Sequence, residues 1–144
     1  MIPFLRILIG LLFVVSGAEK LFWPYQNFLY VLQAYEVLPH GIDVLVARVF
    51  PWIEFLVGLL LVLGLWVSPM LKIALGMFTV FILIITQALL RHLPIDECGC
   101  FGQLISLKPQ QKLVMDSMFF LSLLWMLGNV KQAERFSLDR YLTR

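Results

Sequence analysis

Cys98 and Cys100, the only cysteines in the chain, stand one residue apart with Gly99 between them. Thiols at that spacing can close into a small, tight disulfide, because glycine tolerates the backbone geometry that so short a ring demands. A strained bond is easily reduced, which suits exchange with another thiol better than bracing a fold. Cross-linking so short a loop also stabilises little, since the entropic benefit grows with the number of residues enclosed. The neighbouring charges pull in opposite directions: Arg91, His92 and Lys108 favour the thiolate, whereas Asp96 and Glu97 oppose it. Cys98, Cys100 and His92 also make a soft donor set for Cu(I), or for a zinc site completed by a carboxylate. The residues alone leave three readings open: a redox pair, a metal site and inert thiols.

A second group of residues is notable for where it sits. Glu54 falls inside an apolar run, where a carboxylate costs ~2.5–3.5 kcal/mol on insertion scales and must be neutral, paired or turned toward a polar cavity. It shares a helical face with Pro51 and Gly58. Arg6, Gly10, Phe13, Gly17 and Lys20 form another stripe at alternating spacings of four and three. The glycines on that stripe allow a neighbouring helix to approach closely. Arg6 and Lys20 lie near opposite helix ends, so each can extend to its own interface. With antiparallel neighbours, Lys20 reaches the depth of Glu54, and Asp116 and Gln87 belong to the same end of the molecule. For Glu54 a structural ion pair and a proton-handling or ligand-contacting role are both open, while Asp116 reads as a charge stabilising a helix entry.

These residues need a membrane to position them. Of 144 residues 61% are hydrophobic and 14% charged, with mean hydropathy +0.92, against roughly 25% charged residues in soluble domains. A crossing takes ~20 apolar residues, which leaves room for four crossings and no separate catalytic domain. The expected fold is all-α: one transmembrane domain over residues 1–144, a four-helix bundle with spans at about residues 3–22, 46–67, 70–90 and 113–130. Between the first two spans, Trp23 to Glu36 is rich in aromatic residues interspersed with polar ones, which predicts an amphipathic helix in the headgroup region. Ser68-Pro69 is expected to turn the chain between the second and third spans. The N-terminus has the charged start and apolar centre of a signal peptide. It runs on through Gly17 into Glu19-Lys20 without an Ala-x-Ala site, and is read as a retained first helix.

Net charge is +2 with no long basic run, so lipid and not nucleic acid is the expected partner. Four of the cations lie in the tail after Val130. By the positive-inside rule this places the termini in the cytoplasm and the cysteine loop outside the inner membrane.

The pattern Arg6-x3-Gly10-x2-Phe13-x3-Gly17-Ala18-Glu19-Lys20-Leu21, then Leu38-Pro39, Pro51-x2-Glu54-x3-Gly58 and Cys98-Gly99-Cys100-Phe101-Gly102, resembles the MauE branch of the DoxX-like membrane proteins. The Cys-Gly-Cys-Phe-Gly element is its most specific part; the first-helix stripe is shared by much of the wider group. The resemblance implies a four-helix, redox-associated membrane protein. MauE-like proteins are linked to maturation of the disulfide-rich small subunit of methylamine dehydrogenase alongside a thioredoxin-like partner, and DoxX-like relatives to thiosulfate–quinone oxidoreduction. Membrane thiol oxidases that relay electrons through cysteine-bearing loops use two cysteine pairs, and one pair here means a shorter relay or borrowed cysteines.

The resulting expectation is a thiol–disulfide exchange protein in which Cys98 and Cys100 cycle against an extracytoplasmic thioredoxin-like partner. A quinone is the other possible terminus, with Glu54, Lys20 and Gln87 as the place to look for its head group. The alternatives are a non-catalytic accessory subunit of a larger membrane complex and a metal-handling membrane protein.

Overall fold

The computed structural model describes residues 2–36, 38–39, 41–92 and 108–133, and every regular element among them is helical. In chain order these are α1 (Ile2–Phe22), α2 (Tyr25–Ala34), α3 (Ile42–Leu63), α4 (Val67–Leu90), α5 (Pro109–Gly128) and α6 (Val130–Ala133). Three of them, α1, α3 and α4, are long and apolar enough to cross a membrane. The 20-residue α5 carries Gln110, Gln111, Lys112 and Asp116 in its N-terminal half and falls outside that group.

The connections follow from local chemistry. Gly64 ends α3 in the left-handed conformation (φ 70°, ψ 37°), where its missing Cβ removes the steric cost, and its N–H donates to the Leu60 carbonyl. The chain therefore turns at Gly64 to Trp66, not at the expected Ser68-Pro69. Both of those residues lie in the first turn of α4, where a proline's lacking N–H leaves no bond unmade. Pro109 opens α5 in the same way, four residues earlier than the hydrophobic pattern at Leu113. At the start of α3, buried Asp43 receives hydrogen bonds from the backbone of Gly41 and Val44, both at 2.8 Å. It also accepts one at 2.9 Å from Gln33 Nε2, which fastens the end of α2 to α3.

Packing is tightest between α1 and α3. A Cβ placed on Gly58 would stand 2.6 Å from the Val14 nitrogen and 2.7 Å from the Gly10 carbonyl oxygen; one placed on Gly17 would stand 2.6 Å from the Phe55 nitrogen. The pairings run Gly10 with Val62, Phe13 with Gly58 and Gly17 with Phe55, so the helices are antiparallel and the two small-residue faces meet backbone to backbone. The first-helix stripe is thus a packing surface, as its spacing implied.

Aromatic rings join this pair to the rest. Phe13 meets Phe78 of α4 edge-on at 5.3 Å, and Phe78 lies 5.8 Å from Phe119 of α5. Phe50 of α3 meets Phe81 of α4 at 5.4 Å and Phe28 of α2 at 6.1 Å. Geometries of this kind contribute ~0.5–1.5 kcal/mol beyond the buried area.

The distribution of polarity is inverted relative to a water-soluble protein. Arg6, Lys20, Glu54, Lys112 and Asp116 are all buried, whereas Phe4, Leu11, Val15, Trp52, Leu56, Val80, Leu83, Met118 and Leu121 face outward. An outer surface of this composition is stable against hydrocarbon and not against water.

Candidate functional site

The buried charges are paired across and along helices. Lys20 sits in the last turn of α1, yet its side chain does not extend to an interface. Its Nζ donates to Glu54 Oε2 at 2.7 Å and to Ser16 Oγ at 2.8 Å, and lies 5.4 Å from the centre of the Phe28 ring. Glu54 is twelve residues into α3, ~18 Å along the axis, so this ion pair lies at mid-depth of the helix. Antiparallel packing of α1 on α3 delivers Lys20 to Glu54 as the spacing predicts. The side chains of the pair are only 2% and 4% exposed.

A second pair lies on α5. Lys112 donates to Asp116 one turn further on, with Lys112 Nζ 5.8 Å from the centre of the Phe81 ring. Because α5 begins at Pro109, Asp116 lies in its interior and not in the first turn, which contains no acidic residue. The expected helix-entry role is therefore replaced by a fully buried ion pair. The other carboxylate oxygen, Oδ2, is buried with no hydrogen-bond partner among the described residues.

One member of each pair, Glu54 and Lys112, lines a common cleft together with Ser16, walled by Leu12, Phe13, Phe78, Phe81 and Phe119. It offers a volume of about 20 Å³, room for a single water molecule. Gln87 is half-buried on α4, six residues beyond Phe81 or ~9 Å along the helix, and does not line the cleft. The structure thus brings Lys20 and Glu54 together and leaves Gln87 nearer the helix end.

At the opposite end of α1, Arg6 is buried rather than extended to an interface. Its Nη1 donates at 2.8 Å to the carbonyl of Ala133 in α6.

Cys98 and Cys100, with Asp96 and Glu97, lie outside the described residues. The segment that carries them joins the C-terminus of α4 to the N-terminus of α5, the helix that holds Lys112 and Asp116. On the near side of that segment, Arg91 pairs with Glu36 at 3.2 Å in an exposed contact.

In a comparison with protein-family models, the model of MauE, described as methylamine utilisation protein MauE, matches residues 1–128. The chain belongs to the MauE family. No curated protein and no solved structure matches it. Family membership, the three membrane-length helices and the inverted polarity agree that this MauE-family chain is a multi-pass membrane protein.

Two polar residues lining the cleft of this MauE-family chain escape a reading by sequence. Lys112 looks like the last residue of a hydrophilic connection, and Ser16 like one small residue among apolar ones. The signal for Lys112 was its i,i+4 spacing to Asp116, the arrangement that places opposite charges side by side on a helix. Ser16 follows the same rule, four residues before Lys20.

Proposed function

We propose that this MauE-family protein is a membrane thiol–disulfide redox protein in which Cys98 and Cys100 exchange electrons with an extracytoplasmic thioredoxin-like partner. The occurrence of Cys98-Gly99-Cys100 in a MauE-family chain, between α4 and α5, carries this reading. In the direction that ends on a quinone, a partner thiolate attacks one sulfur of the Cys98–Cys100 disulfide, forming a mixed disulfide and releasing the other cysteine as thiolate. The partner's second thiolate then attacks its own bridged sulfur, leaving the partner oxidised and Cys98 and Cys100 as a dithiol once their thiolates take up the two protons that the partner's thiols gave up. A membrane quinone takes two electrons and two protons from that dithiol, becoming quinol and restoring the disulfide.

In this reading α5 is the fourth crossing. It packs against α4, and Val114, Met118, Leu121 and Trp125 give it an exposed apolar face. α2 lies along the headgroup region, with Trp23 and Tyr30 exposed and Phe28 turned inward against Phe50. The termini are cytoplasmic and the membrane is the inner one. A quinone head group near Lys20, Glu54 and Gln87 requires the phenylalanine walls of the cleft to part, since the space between them matches one water. What the family name implies, a place in methylamine utilisation, makes a disulfide-bearing protein of such a system the substrate to test first.

The test is trapping. Cys98→Ser and Cys100→Ser variants in native membranes are expected to differ: the one retaining the sulfur that bonds to the partner accumulates it as a mixed disulfide, separable on a non-reducing gel and abolished by reductant. If neither variant traps a protein and partner disulfides form normally when both cysteines are serine, the chain is instead an accessory subunit without thiol chemistry.

A further inference from the structure

The Lys112–Asp116 pair lies apart from the residues to which the exchange chemistry points, and its burial needs a reason. An isolated ion pair facing hydrocarbon is a liability, because removing two charges from water costs more than their attraction returns unless further hydrogen bonds satisfy them. Asp116 is fully buried, and one of its oxygens accepts no hydrogen bond among the described residues. Lys112 reaches the rim of the same cleft that Glu54 and Ser16 line. That cleft is mainly apolar and has volume for one water, and Ser16, Glu54 and Lys112 are the polar residues along its lining, the number of partners a buried water typically makes.

We infer that Lys20–Glu54 and Lys112–Asp116 form one intramembrane proton-exchange site, in which a water molecule held by Ser16, Glu54 and Lys112 links the two ion pairs. The two carboxylates and two ammonium groups sum to no net charge. A proton taken up without one leaving would strand a positive charge among four phenylalanines, so passage through the site is favoured over storage. The transfer balances. With one extra proton on the site, protonated Asp116 returns it to Lys112 as Lys112 passes one to the water and the water passes one to Glu54, and the site carries the single positive charge until Glu54 releases the proton. Asp116 ends as carboxylate, Lys112 as ammonium and Glu54 as acid, and only one proton has moved. Facing these groups, α1 contributes Ser16 and Lys20, with Glu19 buried beside Lys20 in the chain; α3 contributes Glu54; α4 lines the cleft with Phe78 and Phe81 alone; α5 contributes Lys112 and Asp116. The site stands on these groups and does not require that the cysteines exchange electrons.

Infrared difference spectroscopy of the full-length protein in lipid nanodiscs, titrated over pH, tests it without any partner or quinone. Two carboxyl bands sensitive to hydrogen–deuterium exchange are expected, one from Asp116 and one from Glu54. Asp116→Asn and Glu54→Gln should each remove one band and displace the midpoint of the other by about one pH unit or more, the mark of coupled groups. Leu12→Phe, which narrows the cleft from its apolar wall, should leave both bands and, combined with either carboxylate substitution, abolish the mutual displacement; if a carboxylate variant fails to fold, a shift of both midpoints in Leu12→Phe alone reads the same link. Midpoints that ignore each other's substitution, or coupling that persists unchanged in Leu12→Phe, would overturn the proposal.

Discussion

Leucine at position 54, with Lys20 left in place, is expected to cost the protein about 3–5 kcal/mol of folding stability, the usual consequence of leaving one member of a buried ion pair without its counter-charge. Lys20 is held 2.7 Å from Glu54 and 2.8 Å from Ser16 inside the α1/α3 contact, so without the carboxylate its ammonium keeps only a hydroxyl and the face of Phe28. The backbone approach at Gly17, three residues from Lys20, gives the side chain little freedom to withdraw. Replacing both partners, Lys20→Met with Glu54→Leu, is expected to recover most of the loss, because the desolvation penalty disappears together with the attraction. Equilibrium unfolding in mixed micelles of the two single variants and the double variant measures this as a thermodynamic cycle. A double variant as unstable as Glu54→Leu alone would mean that these residues are held by their surroundings and not by each other.

The second large effect concerns a single hydrogen atom. Gly58→Ala is expected to destabilise by ~1–3 kcal/mol or more, the range for overpacking a filled interior. The new methyl would meet main-chain atoms of Val14 and Gly10, which cannot swing aside as a side-chain tip would. Gly76 provides the control within the same protein. A Cβ there meets nothing within 4 Å, so Gly76→Ala should be neutral or stabilising by up to ~1 kcal/mol through helix propensity alone. Comparing the two in one unfolding assay separates the close approach of α1 and α3 from a general effect of replacing helical glycines.

Both predictions draw on features that were readable in the residues. Spacings of three and four put Gly10, Gly17 and Lys20 on one face of α1, and Glu54 and Gly58 on one face of α3, and antiparallel order did the rest. Helix boundaries were less legible where proline was involved. Ser68-Pro69 has the composition of a turn, but a first-turn proline also starts a helix, and Gly64 was the residue that had to adopt a positive φ. The same ambiguity at Pro109 hid one turn of α5 and with it the burial of Lys112 and Asp116. A charged residue at the edge of an apolar run reads as solvated unless its partner is recognised. Arg6 likewise looked free to extend to an interface, because its acceptor is a backbone carbonyl 127 residues away that no side-chain pattern marks.

Whether the chain performs thiol exchange is decided most directly by the oxidation state of its two sulfurs in living membranes. Rapid acid quenching followed by alkylation with a mass-shifting maleimide counts free thiols on Cys98 and Cys100 before and after cells pass from oxidising to reducing conditions. Thiol exchange predicts a reversible change of two alkylation events per chain, lost when a partner thiol protein is depleted. An alkylation count that stays fixed across both conditions, at either value, would contradict it.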